Sequence, residues 1–177
     1  MSELFSIQLQ NRQQQGRDGV WLDLPTTTEQ VQAALRQIGI SSDNPQGLFI
    51  SGYFAEEEKR FAIPYNMVLA SNVDELNFLA SRLETLSTGE RAELNAALQA
   101  PQSELFSIGR ITDFPENVDY YVHLPDVHGP AQLGDYYLNR SGMVDMPEEW
   151  KGGIDTAQFG RYVAQQEQGA FTQYGYL

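Results

Sequence analysis

The 177-residue chain contains no cysteine, which excludes disulfides, thiolate metal sites and a cysteine nucleophile and fits a reducing compartment. Basic residues are scarce: 11 Lys and Arg stand against 24 Asp and Glu, a formal net charge of −13. A pI near 4.4 argues against a surface that binds phosphate, because duplex binders need basic patches. Direct contact with nucleic acid is therefore not expected. Long hydrophobic runs are missing as well. The longest uncharged stretch, residues 61–73, has 13 residues and includes Pro64, Asn66, Ser71 and Asn72, too short and too polar to span a bilayer. The first basic residue is Arg12 and no early apolar run follows it, so the expectation is a chain without a secretory signal, soluble and cytoplasmic. What is present is enough for folding: 41% hydrophobic and 11% aromatic residues can bury cores, which disfavours wholesale disorder.

Periodicity divides the chain into three blocks. In residues 1–60, Phe5, Ile7 and Leu9 alternate at strand spacing, a Gln-rich turn passes through Gly16 and Gly19, and residues 20–24 form a second strand before Pro25. Thr27 or Thr28 caps a helix carrying Val31, Ala34, Leu35 and Ile38 up to Gly39, and residues 48–54 read as a third strand. In residues 61–112 the period becomes helical. Val73, Leu76, Leu79, Ala80, Leu83 and Leu86 form one stripe, with Asn72 and Glu75 spaced as a capping box. Ser87 and Glu90 repeat that spacing before a run that Pro101 stops, and a third helix is predicted over 103–112. In residues 113–177, a strand is predicted over 118–124 and a helix from Pro130 through Leu138. A helix capped by Asp155 follows, ended by Gly169, and a last strand covers 170–177. The fold class expected is α+β: an α/β N-terminal domain (1–60), a helical middle domain (61–112) and an α/β C-terminal domain (113–177).

Signatures of catalysis are thin. His123 and His128 lie five apart across Pro125, outside the i, i+4 spacing of a helical zinc pair, and no HExxH motif supports them. Phosphate-binding glycine loops, a GxSxG elbow and an EF-hand loop are all absent. Adjacent acids such as Glu148 and Glu149 read as solvated or helix-dipole residues rather than as an acid/base pair. No enzyme activity, cofactor or metal is expected.

The acids themselves are spread evenly. The three blocks carry net charges of −3, −3 and −7, and residues 37–58, 61–81 and 111–139 contain no Lys or Arg. A tail-type acidic run would be local; here the field covers the whole chain, as in an ordinary soluble acidic protein or in a surface that competes with DNA for a basic groove.

The residues also resemble the ArdA-type antirestriction proteins along almost the whole chain. The likeness runs through WLDLP at 21–25, DELNFLASRLETL at 74–86, ENVDYYVHLPDVH at 116–128, LGDYYL at 133–138, IDTAQFGRYVA at 154–164 and GAFTQYGYL at 169–177. The resemblance implies an elongated three-domain protein that dimerises through its C-terminal part. It implies a DNA mimic that occupies the DNA-binding groove of type I restriction-modification enzymes, on the methyltransferase core of specificity and modification subunits, and so protects incoming mobile DNA. Candidate DNA-mimic carboxylates are Glu56, Glu57, Glu58, Asp74, Glu75, Glu84, Asp113, Glu116, Asp119, Asp126 and Asp135. Leu133, Tyr136, Tyr137 and Leu138 are candidates for a dimer interface, and serve equally well as core of the C-terminal block. Two other readings are an acidic adaptor or inhibitor of a different DNA-binding immune nuclease, and a hydrolase using paired carboxylates.

Overall fold

The computed structural model describes residues 3–14, 16–43 and 45–177. They form two compact units, Met1–Ser87 with Leu105–Glu116 and Thr88–Glu104 with Asn117–Leu177. Residues 88–104 of the helical block thus lie in the second unit, and residues 61–87 and 105–112 in the first. Helices and strands are mixed, as an α+β class requires.

The first unit begins with strands β1 (Phe5–Asn11) and β2 (Val20–Leu24) and helix α1 (Thr28–Gln37), followed by β3 (Leu48–Phe54). Gln15, in the turn between the first two strands, lies outside the described residues. The sheet is antiparallel in the order β2-β1-β3, with Ile7 opposite both Leu22 and Tyr53. Strand alternation sends Phe5, Ile7 and Leu9 into the core and turns Ser6, Gln8 and Gln10 the other way. Between Gln8 and Leu9 the register with β3 shifts by a bulge, and the Ser51 hydroxyl donates to the Gln8 side chain there, at 3.1 Å. Thr27 caps α1 by accepting from Gln30 N–H.

Two short elements missing from the sequence reading follow, a 3-10 turn (Glu57–Lys59) and helix α2 (Tyr65–Leu69). Helix α3 (Val73–Glu84) then buries Leu76, Leu79, Ala80 and Leu83, each leucine contributing about 1.5–3 kcal/mol. Its cap is the one the spacing predicts: Asn72 Oδ1 accepts from Glu75 N–H at 2.9 Å, and the Glu75 carboxylate accepts from Ser71 Oγ at 2.8 Å. Asn77 on this helix ties itself to the strand region. Its Oδ1 accepts from Thr26 N–H at 2.8 Å and its Nδ2 donates to Thr26 O at 3.0 Å. Those two bonds satisfy both backbone groups of Thr26 and bind α3 into the same unit as the sheet.

The helix predicted over 103–112 shrinks to α5 (Ile108–Thr112), because Ser107 is extended and caps it through Arg110 N–H. Phe114, nearly fully buried, closes this core.

The second unit opens with α4 (Thr88–Gln99), which buries Leu94, Asn95, Ala96 and Ala97. The strand predicted over 118–124 does not form. Val118–Tyr120 is a 3-10 turn, and only Leu124 reaches a β-partner, in an isolated bridge to Tyr176. Tyr120 and Val122 stay mostly exposed, so β-propensity without an adjoining edge produces no strand. Helix α6 (Pro130–Asp135) continues into a single π turn (Tyr136–Arg140), and α7 (Glu148–Lys151) precedes α8 (Thr156–Glu167). Asp155 caps α8 through Ala157 and Gln158 N–H, and Gln168, not Gly169, takes the left-handed position at its end, with φ 56°.

Glycine sets the spacing of α6 against α8. A Cβ at Gly160 would lie 1.7 Å from the Pro130 carbonyl oxygen, and one at Gly134 would lie 1.9 Å from that of Thr156, so the two backbones touch. The last segment is a hairpin, not one strand: β4 (Phe171–Thr172) pairs with β5 (Gly175–Tyr176). Gly175 turns with φ 112°, and Thr172 Oγ1 donates to its carbonyl at 2.8 Å.

Candidate interaction surface

Each unit is acidic taken alone. The first carries 13 acids and 7 bases, net −6; the second carries 11 and 4, net −7. Some carboxylates are paired locally. Glu56 pairs with Lys59 at 3.3 Å, Glu116 with Arg82 at 2.7 Å, Asp135 with Arg140 at 3.6 Å and Glu148 with Lys151 at 2.9 Å. These carboxylates remain half or more exposed in their pairs, so water screens the attraction and each still presents charge outward.

The candidate carboxylates fall into three kinds. Glu57, Glu58, Asp74, Asp119 and Asp126 are exposed and make no ion pair among the described residues. Glu56, Glu116 and Asp135 are ion-paired as above, Asp135 also accepting from Asn139 at 2.8 Å. Glu75 is committed to the cap of α3, and Glu84 is partly buried on the same helix. Asp113, exposed, is the C-cap of α5.

The candidate interface residues divide as sharply. Leu133 and Leu138 are buried within the chain itself, Leu133 in a cluster with Val127 and Tyr176. Tyr136 and Tyr137 are half-buried around that cluster, their rings edge-on at 5.4 Å. The Tyr137 hydroxyl donates to Glu167 Oε1, and that of Tyr176 to Glu167 Oε2 at 2.8 Å. Burial, and then the shared Glu167 carboxylate, raise both phenols well above their ordinary range. Tyr137 is thus fixed from inside as well as partly exposed.

A feature outside the sequence-derived candidates lies in the second unit. Glu90 and Glu93, one turn apart on α4, line a cleft of about 520 Å³ with Val118, Asp119, Tyr121 and His123. Burial, then the charges of Glu90 and Asp119, push the Glu93 carboxyl up to about 6. Its Oε1 is buried without a hydrogen-bond partner. The charges of Glu90 and Asp119 thus oppose ionisation of Glu93. On sequence alone Glu90 and Glu93 look like a solvated helix face; only the tertiary fold brings Asp119 to them.

Both histidines serve the C-terminal hairpin. His123 Nε2 lies 2.7 Å from Tyr174 O and His128 Nδ1 lies 3.4 Å from Thr172 O. A carbonyl oxygen only accepts, so the facing nitrogen in each ring carries the proton. Among the described residues, no group of three or more His, Asp or Glu is placed to hold a metal ion. Nor is any helix among them long and apolar enough to cross a membrane. The surface chemistry on offer is the attraction of cationic groups over both units.

A family model described as Antirestriction protein (ArdA) matches residues 15–177. A comparison with curated proteins gives no match.

Proposed function

Because the chain belongs to the ArdA antirestriction family, we propose that it acts as a DNA mimic in the DNA-binding groove of type I restriction-modification enzymes, protecting incoming mobile DNA. The observation that carries this reading is the distribution of charge: each compact unit is separately acidic, at −6 and −7, and five candidate carboxylates stand exposed without ion pairs among the described residues. Carboxylates stand in for phosphates. The Lys and Arg side chains of the enzyme's groove, on the methyltransferase core of specificity and modification subunits, exchange their counterions for this surface and lose access to DNA. Two copies associated through their C-terminal parts present about 26 excess negative charges, comparable with the phosphates along roughly 40 Å of duplex. Repulsion between two such copies is offset by apolar contact, for which the half-exposed rings of Tyr136 and Tyr137 are available.

The field is distributed, so loss of one carboxylate removes a small share of it. Charge reversal at Glu57, Glu58, Asp74, Asp119 and Asp126 together abolishes displacement of DNA from a type I methyltransferase, while each single reversal weakens it only slightly. Displacement that survives the fivefold reversal contradicts the proposal. Sedimentation of the wild type against Tyr137→Glu tests that contact: a dimeric wild type with a folded monomeric variant supports it, whereas a folded dimeric variant, or one that unfolds because the ring is core, contradicts it.

A further inference from the structure

Exposed aromatic side chains are numerous on this acidic surface, and several have a partner within the chain. Trp21 lies over Gly52, where an added Cβ would come within 3.1 Å of the indole. Phe106 has the Arg110 guanidinium 4.8 Å above its ring, and Tyr120 packs edge-on to Tyr121 at 5.5 Å. Trp150 has none of these. It projects from α7 with 65% of its surface exposed, and its indole N–H makes no hydrogen bond among the described residues.

Hydrogen bonds hold the backbone around it. Trp150 N–H donates to Pro147 O at 2.9 Å, and Gly153 N–H donates to Trp150 O at 3.0 Å. Lys151, mostly buried, holds Glu148 at 2.9 Å, yet the Glu148 side chain stays 83% exposed. Residues 142–155 carry Asp145, Glu148, Glu149 and Asp155 against that single lysine. A large ring with a spare donor is therefore presented at a fixed place, immediately beside two exposed carboxylates. An indole left in water forfeits the stabilisation its burial would bring, and an exposed tryptophan is a typical centre of binding energy at protein interfaces.

We propose that Trp150 is an anchor for the partner enzyme: the indole enters a ring-accepting pocket within the basic groove, while Glu148 and Glu149 meet the cationic side chains beside that pocket. The partner's chemistry follows from the charge around the ring. Only a surface rich in Lys and Arg accepts residues 142–155, and the pocket must take a flat heteroaromatic ring with one N–H donor. Enzymes that modify a base hold it in such a pocket after extruding it from the duplex, with cationic contacts to the flanking phosphates. Glu148 and Glu149, exposed and next to Trp150 in the chain, supply the anionic part of such a nucleotide and the indole supplies its base. This inference rests on the DNA-mimic reading above and adds the base to the phosphates.

The two components respond differently to salt, which makes the inference testable. Binding of the full-length chain to a type I methyltransferase is measured by titration from 50 to 300 mM salt for the wild type, Trp150→Ala, Trp150→Phe and Glu148→Gln/Glu149→Gln. Trp150→Ala is expected to raise Kd about tenfold or more at every salt concentration, leaving the slope of log Kd against log salt unchanged. Trp150→Phe recovers part of the loss. The double glutamine variant flattens the slope instead. Far-UV circular dichroism and Tm equal to wild type verify that Trp150→Ala is folded. Trp21→Phe protein labelled with 5-fluorotryptophan supplies a direct readout, since Trp150 then gives its one fluorine line, which shifts on complex formation. If the wild type binds while Trp150→Ala binds equally well and the fluorine line does not move, this inference is overturned and the DNA-mimic reading stands. If the wild type itself fails to bind the methyltransferase, both are overturned.

Discussion

Replacing Glu93 by glutamine should make the free protein more stable and a weaker inhibitor. The carboxyl is raised from an ordinary 4.5 to about 6 by burial and by the neighbouring charges of Glu90 and Asp119. At about 1.36 kcal/mol per tenfold change in proton affinity, that shift amounts to at most about 2 kcal/mol of folding free energy withheld by the ionised group. Partial exposure and solvent screening reduce the figure to about 1 kcal/mol. The sign follows from linkage. A carboxyl whose folded value is raised penalises folding when ionised; the penalty is fully present above about pH 6, shrinks as the pH falls through 6, and is gone below 4.5. Glu93→Gln should therefore exceed the wild type by about 1 kcal/mol at pH 7, a Tm increase of about 2–4 °C for a chain of this size, and the gap should close by pH 4. Denaturant titrations at pH 7, 6, 5 and 4 measure it. A variant no more stable than wild type at pH 7, or an advantage that persists unchanged at pH 4, refutes the reasoning. In the same variant, binding to the methyltransferase should weaken and the salt slope should fall by up to about 0.9, as one anionic contact is lost.

Gly160→Ala should destabilise the second unit by about 3 kcal/mol or more, because the new methyl falls 1.7 Å from a backbone carbonyl that cannot rotate away; thermal melts decide it, and a loss under 1 kcal/mol would contradict the close packing of α6 on α8. Asn72→Ala should cost about 1 kcal/mol by removing the acceptor for Glu75 N–H, measured by denaturant titration, with Asn72→Asp retaining most of the stability. Phe114→Ala should cost about 3–5 kcal/mol, since the ring is 1% exposed and leaves a cavity. Glu167→Gln should lower the pH at which Tyr137 and Tyr176 ionise, seen as an earlier rise in ultraviolet phenolate absorbance, because the carboxylate that opposes their ionisation is gone.

Local chemistry was legible wherever a short-range rule governs the backbone. The alternation of Phe5, Ile7 and Leu9 places β1, residues 48–54 form the third strand expected there, and Asn72, Thr27 and Asp155 mark helix starts that the structure keeps. Readings failed where the outcome depends on a distant partner. Residues 118–124 have strand-forming side chains but no neighbouring edge beyond Tyr176, so all but Leu124 stay out of β-pairing. The final eight residues carry a continuous strand pattern in sequence, but the chain reverses at Gln173 and Tyr174, with Gly175 at φ 112° paired to Thr172 just after the turn. Asn77 gives no hint in sequence that it closes on Thr26, 51 residues away.

The candidate surface divides in the same way. Net charge and the long intervals without Lys or Arg are properties of composition, and they survive folding unchanged. Which carboxylates stand alone is a property of packing: Arg82 finds Glu116 across 34 residues, and Glu90 and Glu93 meet Asp119 in one cleft. Leu133 and Leu138, apolar and adjacent to tyrosines, carry the same pattern in sequence whether they fill a core or face a partner; in the folded chain they are buried.

The most direct test of the account is competition on a type I methyltransferase already bound to its DNA, with the wild-type protein added at a series of salt concentrations. The account predicts that the protein displaces the DNA at moderate salt and that its own affinity falls steeply as salt rises, with a log–log slope of several. Failure to displace DNA, or an affinity indifferent to salt, would contradict it.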